Sequence, residues 1–420
     1  MGEPMVDQNR ENYIWNLLGS VSSALISTIL LLIASRELGA AQSDIFSIVY
    51  SISQQFIIIG LFQVRNYQST DASSELLFTD YLLSRIVTIS VMLICASLFL
   101  LFQNYSLEKS LVYIFVILFR ACDAFSDVYQ GQLQQMKRSD LAGRILFLRS
   151  VVAIVIFFIV LHLSTSLVIA SLAIFIANAL LTVVLDFPLL KKVYAMDSIK
   201  IHRTTINSLL FLLKQCFPLF LNGFLITYIF TEPKLVIDQL LVNDILEAGM
   251  QRNFNILFMP TFILNLLFAV LRPMVTELAY DWEYKKIDIF YKKIWKISQI
   301  LLLFGVIVII ASYFIGTPIL SAVFGVDLLQ YSLELSILVL AGLFNVFATM
   351  IDNLMTIFRK QKLLLPVYIA TFLASKYYTY PMILSFGLRG AALSFLISMI
   401  LYFVLSTMIY FLSLRRTAYE

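Results

Sequence analysis

The stretch LVYIFVILFRACDAFSDVYQGQLQ, residues 111–134, decides the fold class. It opens on an apolar run and is long enough to cross a bilayer, which takes about 20 mainly apolar residues in a helix. Yet it carries Arg120, Asp123 and Asp127. At about 100° per residue, Arg120, Asp123, Asp127, Gln130 and Gln134 fall within about 80° of one another. The polar groups therefore make one stripe on an otherwise apolar helix. Charges in a span pair with one another or line water.

Working outward, the chain reads as twelve spans, approximately 14–34, 45–62, 86–102, 111–130, 145–162, 166–185, 207–230, 254–271, 297–315, 335–357, 364–384 and 391–412. Composition agrees: 60% of residues are hydrophobic, only 13% are charged, and the mean hydropathy is +0.89. Soluble chains run to about 45–50% apolar and about 25% charged. The fold class is all-α integral membrane.

Twelve spans put both termini on one side. Of the 30 Lys and Arg, twenty-one fall on loops and tails of that side. Five fall on the other: Arg36, Lys109, Lys234, Arg252 and Arg389. Basic loops stay in the cytoplasm, so both termini are expected there. The net charge of +4 then reflects topology and gives no reason to expect a nucleic-acid partner. The segment 277–296 mixes Glu277, Asp281, Glu283 and Asp288 with lysines and aromatics. It reads as one surface helix near anionic membrane lipids.

Several functions are left without material. Cys95, Cys122 and Cys216 are isolated in apolar runs and read as thiols, not disulfides. His162 and His202 have no partner at metal-ligand spacing, so no metal is expected. There is no Walker A loop, GxGxxG or HExxH. No connection exceeds about 25 residues, which leaves no room for a soluble catalytic domain. The basic mid-chain loop suggests two halves of six spans, 1–190 and 207–420, joined by a cytoplasmic linker at 191–206. Like orientation of the halves suits parallel repeats, as some transporters use.

The in-span charges are Arg120, Asp123, Asp127, Arg149, Lys214, Asp352 and Lys376. Each costs roughly 2.5–3.5 kcal/mol at mid-bilayer. Seven facing lipid would exceed the 5–15 kcal/mol that typically holds a fold together. Other polar positions share faces: Asn12, Asn16, Ser20, Ser23 and Ser27 in the first span, and Tyr50, Gln54 and Arg65 around the second. Asn207/Lys214, Asn265/Arg272 and Asn345/Asp352 each lie two turns apart. Structural readings stand beside these. The first stripe also suits helix packing, Arg120 with Asp123 an intrahelical pair, and Arg149 a counter-ion to Asp127. Arg65, Arg272 and Asp352 lie near cytoplasmic ends, where the arginines can snorkel. Lys214 and Lys376 have no in-span carboxylate nearby in sequence and are the better ligand candidates. Pro218 marks a bend in the seventh span.

A resemblance joins these features. The residues Asn-Tyr-Ile-Trp-Asn-Leu-Leu-Gly-Ser from Asn12, Ser-Arg-Glu-Leu-Gly from Ser35 and Gly-Leu-Phe-Gln-Val-Arg-Asn-Tyr-Gln from Gly60 resemble the opening of Wzx-like polysaccharide flippases. These belong to the multidrug/oligosaccharidyl-lipid/polysaccharide (MOP) exporter superfamily. The resemblance continues through Asp123–Gln134, Arg138–Arg144, Glu232-Pro-Lys234 with Ile237-Asp238, and Phe258-Met-Pro260 to Arg272-Pro273.

It implies two six-helix lobes around a central cavity, as in MATE-like folds. It implies transport, not catalysis: an undecaprenyl-diphosphate-linked oligosaccharide would be moved from the inner to the outer leaflet of a bacterial cytoplasmic membrane. Arg120, Arg149, Lys214 and Lys376 would meet the diphosphate or inner sugars, with Gln54, Asn222 and Asn345 lining the cavity. Arg65 and Arg272 would guard the cytoplasmic mouth. Asp123, Asp127 and Asp352 would hold the cations or couple transport to H+ or Na+. No cofactor is implied. Polymerase and glycosyltransferases of the same pathway are the expected partners. A cation-coupled multidrug exporter is the alternative, and a membrane polysaccharide polymerase a more distant one.

Overall fold

The computed structural model describes residues 3–71, 76–186, 188 and 205–417, without the side chains of 3–9, 70, 205, 269, 270, 272, 273, 276 and 415–417. Among these residues there are helices and connections but no strand. A helix satisfies its own backbone, which hydrocarbon demands.

In chain order the helices are α1 (Glu3–Glu37), α2 (Ala40–Leu61), α3 (Val64–Thr70), α4 (Phe78–Leu101), α5 (Leu107–Gln135), α6 (Ser139–Ser164) and α7 (Leu167–Leu181). A π turn, Thr182–Asp186, extends α7. Then come α8 (Thr205–Val242), α9 (Met250–Phe258), α10 (Ile263–Val270), α11 (Arg272–Glu283), α12 (Ile287–Ala311), α13 (Thr317–Phe324), α14 (Ser332–Ile357) and α15 (Leu365–Thr417).

Nine stretches among the described residues are long and apolar enough to cross a membrane. One of them, Gln361–Leu414, holds two spans, because Gly387 breaks α15 with φ 56° and ψ −134°. The charged α5 and the α9–α10 pair supply the remaining two of the expected twelve.

The chain divides into two compact units, Met1–Phe224 and Leu225–Glu420, and the division falls inside α8. The expected linker 191–206 lies outside the described residues except at 205 and 206. In the first unit α5 lies against α2, α4, α6 and α7. Leu212 and Cys216 tie the start of α8 into its core with Val64, Tyr81 and Tyr129. In the second unit α14 is central, touching α9, α10, α12 and α15.

Helix α1 runs along α6 at very close range. A Cβ on Gly143 would sit 2.1 Å from the Trp15 carbonyl oxygen, and one on Gly19 would sit 2.6 Å from that of Gly143. Small residues let membrane helices approach this way. Asn12 completes the contact: its carbonyl oxygen accepts from the Asp140 amide at 2.9 Å, near the start of α6. Asn16, Ser20 and Ser23 are exposed, so most of that stripe is not packing material. Gly143→Ala is expected to cost about 1–3 kcal/mol by overpacking, read as a lower thermal midpoint of the full chain in detergent.

Three expectations about helix ends need correction. Helix α4 begins at Phe78, not near 86, so Arg85 is helical and fully buried. Asp80 marks that start by accepting from the Leu77 amide at 3.0 Å. Helix α8 continues through Pro218 and Pro233 to Val242, so Glu232, Lys234 and Asp238 belong to a helix and not to an outer loop. Segment 277–296 is two helices, separated at Tyr284–Lys286 where Lys285 takes φ 55°.

Candidate functional site

The site grows from the break after α2. Phe62 and Gln63 take left-handed backbone (φ 44° and 57°), which ends α2 and starts α3. The turn sets Arg65 against the stripe of α5. Its Nη1 donates to Asp127 at 2.9 Å and to Gln130 at 3.1 Å, and its Nε donates to Gln134 at 3.1 Å. Three members of the sequence stripe thus grip one guanidinium.

Asp127 is shared. Its second oxygen accepts from Arg85 Nη2 at 2.7 Å. Arg85 is 0% exposed, and its Nη1 donates to the Gly60 carbonyl at 2.6 Å. Thr88 donates to the same carbonyl at 2.7 Å. A carbonyl near a broken helix end would otherwise be poorly satisfied in a membrane.

One turn back, Asp123 is a second hub. It accepts from Arg120 at 3.1 Å and from Asn178 at 2.8 Å. Arg149 Nη2 lies 3.5 Å from it. Arg149 Nη1 donates to Thr182 at 2.9 Å and to Asp186 at 3.1 Å, both in the π turn after α7. Such turns recur at functional positions. Arg120 also stacks over Tyr50, 4.5 Å from the ring centre, and its Nε donates to Ser53. Arg120, Arg149 and Asp186 are all buried. Among the described residues, Nη2 of Arg120 and of Arg149 have no hydrogen-bond acceptor, Arg149 Nη2 having only the 3.5 Å ion-pair approach to Asp123, so buried donor capacity remains beside Asp123.

The Arg120–Asp123 pair is therefore present, but Arg149 serves Asp123 and Asp186, not Asp127. Lys214 is exposed and has no ion-pair partner among the described residues. Gln54 is half-buried; its neighbour Gln55 is the one anchored, donating to the Phe224 carbonyl at 3.2 Å. Asn222 is half-buried, and its carbonyl oxygen has no donor among the described residues.

The second unit holds smaller clusters. Lys376 lies 3.0 Å from Glu232 and 4.7 Å from the Tyr228 ring centre. Its partner comes from a stretch that reads as a loop in the sequence. Asp352 meets no cation among the described residues: it accepts the hydroxyls of Tyr368 and Tyr402. Asn345 donates to Asn265 at 3.3 Å, joining two of the residues that precede charges by seven. The Arg272 side chain lies outside those described. Tyr378 bonds Ser398 at 2.7 Å, while Tyr377 is exposed.

Arg85, Asp186 and Glu232 were not among the sequence candidates. For Arg85 a signal was present: Asp80 is a first-turn acidic residue ahead of it. Glu232-Pro-Lys234 gives none, because proline and two charges are what a loop also shows.

No protein-family model matches the chain, and no curated protein does. Solved structures do. The inward-facing form of a multidrug resistance MATE family transporter of the MOP superfamily aligns with TM-score 0.73 at 11% identity, over 96% of this chain and 98% of that one. An outward-facing form of such a transporter aligns with TM-score 0.61 at 13% identity, over 98% and 96%. A MOP superfamily transporter from Pyrococcus furiosus aligns with TM-score 0.59 at 13% identity, over 97% and 95%. Likeness at such low identity speaks to architecture: the chain is a multi-pass helical membrane protein with the fold of MATE transporters of the MOP superfamily.

Proposed function

We propose that the protein is a flippase. Its substrate is an undecaprenyl-diphosphate-linked oligosaccharide, a precursor of capsule, O-antigen, teichoic acid or a similar surface glycan. It moves this from the inner to the outer leaflet of a bacterial cytoplasmic membrane by alternating access, with both termini in the cytoplasm. The polymerase and glycosyltransferases of the same pathway are its partners.

The observation that carries this reading is the charge balance along α5. Arg65, Arg85, Arg120 and Arg149 stand against Asp123, Asp127 and Asp186. One positive charge is in excess, and spare guanidinium donors accompany it. An anionic diphosphate suits that excess, since guanidinium matches phosphate oxygens in pairs. Within the same unit Lys214 adds a cation, and Gln54 and Asn222 suit sugar hydroxyls; in the second unit Lys376 is balanced by Glu232 and adds no net charge. Asp123 and Asp127 hold the arginines, and these two with Asp352 are the candidates for H+ or Na+ coupling. For the P. furiosus transporter of similar fold, reversed polarity of the binding pocket suggests a different function.

Lys214→Glu tests the reading with little risk to folding, because Lys214 is exposed and unpaired among the described residues. Expected is a fall of about tenfold or more in surface glycan, with lipid-linked precursor accumulating inside and Lys214→Arg restoring export; one lost charge contact of about 1.4 kcal/mol gives that factor. Undiminished surface glycan removes Lys214 from the path. The second reading, a cation-coupled exporter, follows from the multidrug transporters that share the fold. It is favoured instead if deletion lowers efflux of organic cations and leaves the glycan unchanged.

A further inference from the structure

We infer that the second unit carries a site for the headgroup of an anionic phospholipid, in the cleft between the α11–α12 turn and the end of α14. The cleft holds about 660 Å³. Sites for small ligands run from about 300 to 1,000 Å³.

Two aromatic rings, of Trp282 and Phe358, line it. Trp282 packs on Phe358 with ring centres 4.4 Å apart, and Phe358 also stacks on Tyr410 at 5.8 Å. Its charged lining is two cations, Lys285 and Arg359, and one carboxylate, Glu283. All three side chains are exposed, and none forms an ion pair among the described residues. Lys285 and Arg359 sit at helix-ending turns with φ 55° and 57°. The excess of positive charge suits a phosphodiester anion, and Arg359 offers the paired donors that phosphate takes.

The cleft also lies at the depth of headgroups. Ile287 opens one apolar span and Ile357 closes another, and both line it. Tryptophan and basic residues gather at that level of a bilayer. Charge alone does not select this place. Lys293 is equally close to the surface in sequence, but Glu277 at 2.8 Å and Asp281 at 2.7 Å neutralise it. The occupant is a lipid and not a free phosphate, because the aromatic lining lies beside two spans.

Native mass spectrometry of the full chain in detergent tests this. Phosphatidylglycerol and phosphatidylcholine of equal chain length are added at equal concentration. Wild type is expected to retain phosphatidylglycerol about tenfold better, as basic residues at a membrane surface attract anionic lipid. Lys285→Gln with Arg359→Gln should abolish the preference. Glu283→Gln should raise it, which keeps the test decisive if the double variant folds poorly. Lys292→Gln with Lys296→Gln, exposed and outside the cleft, should leave it unchanged. The inference is overturned if wild type shows no preference, or if the double variant keeps it. It also falls if the Lys292/Lys296 variant loses the preference equally, or if millimolar inorganic phosphate displaces the lipid. None of these outcomes bears on the transported substrate.

Discussion

Asp127→Ala is expected to remove most folded protein from the membrane. Asp127 is the shared counter-ion of Arg85 and Arg65, with both of its oxygens engaged. Arg85 is wholly buried and forms no other ion pair among the described residues. Deleting one partner of a buried pair strands the other charge, at about 3–5 kcal/mol. That is a large part of the 5–15 kcal/mol that typically separates folded from unfolded chains.

The reading is a drop in thermal midpoint and in monodisperse yield from detergent. Removing the stranded charge should restore much of the loss. Asp127→Ala combined with Arg85→Leu is therefore expected to be more stable than Asp127→Ala alone. The Arg65 side chain is 27% exposed and can turn to water when its carboxylate is gone. A single variant as stable as wild type would show that Arg85 is compensated elsewhere.

The second large effect is an asymmetry. Lys376 and Glu232 form one ion pair, yet their environments differ: the Lys376 side chain is 45% exposed and that of Glu232 only 4%. Lys376→Met leaves a carboxylate stranded in the interior, expected to cost about 3 kcal/mol. Glu232→Gln leaves an ammonium on the more accessible side of the pair, still over the Tyr228 ring, and is expected to cost less than Lys376→Met. Thermal unfolding of the two variants side by side measures the difference. Equal destabilisation would mean that the carboxylate is accommodated as readily as the ammonium. Tyr228 sharpens the contrast, because the Lys376 ammonium also sits over its ring.

These two cases show what the sequence could and could not tell. The stripe on α5 was legible because a helix converts spacing into direction without outside help. Asp127, Gln130 and Gln134 were placed on one face, and in the structure they hold one arginine. Which arginine they hold was not legible as geometry. That depends on the left-handed pair Phe62–Gln63, residues whose identities do not require such a turn.

Span ends failed for a related reason. Hydropathy counts a charge against a helix whether or not it is neutralised. Arg85, Glu232 and Lys234 were therefore assigned to loops, although tertiary partners make each of them tolerable inside. Asp352 is a different kind of miss. It was grouped with carboxylates that hold cations, but two tyrosine hydroxyls satisfy it. Those tyrosines come from either side of Gly387, and no local pattern announces their meeting.

The same Gly387 has a practical side. Its φ of 56° with ψ of −134° is open to glycine and to almost nothing else. Three residues on, a Cβ at Gly390 would stand 2.0 Å from the Met382 carbonyl oxygen, so the returning helix is pressed against the outgoing one. The last two spans are thus joined by a corner and not by a loop. There is no slack to cut, lengthen or decorate. A protease site, epitope or fluorescent reporter spliced at 387 would have to prise the two helices apart before it could be displayed. Residues 243–249, between α8 and α9, form a true connection instead. It is the place to attach a topology reporter on this unit.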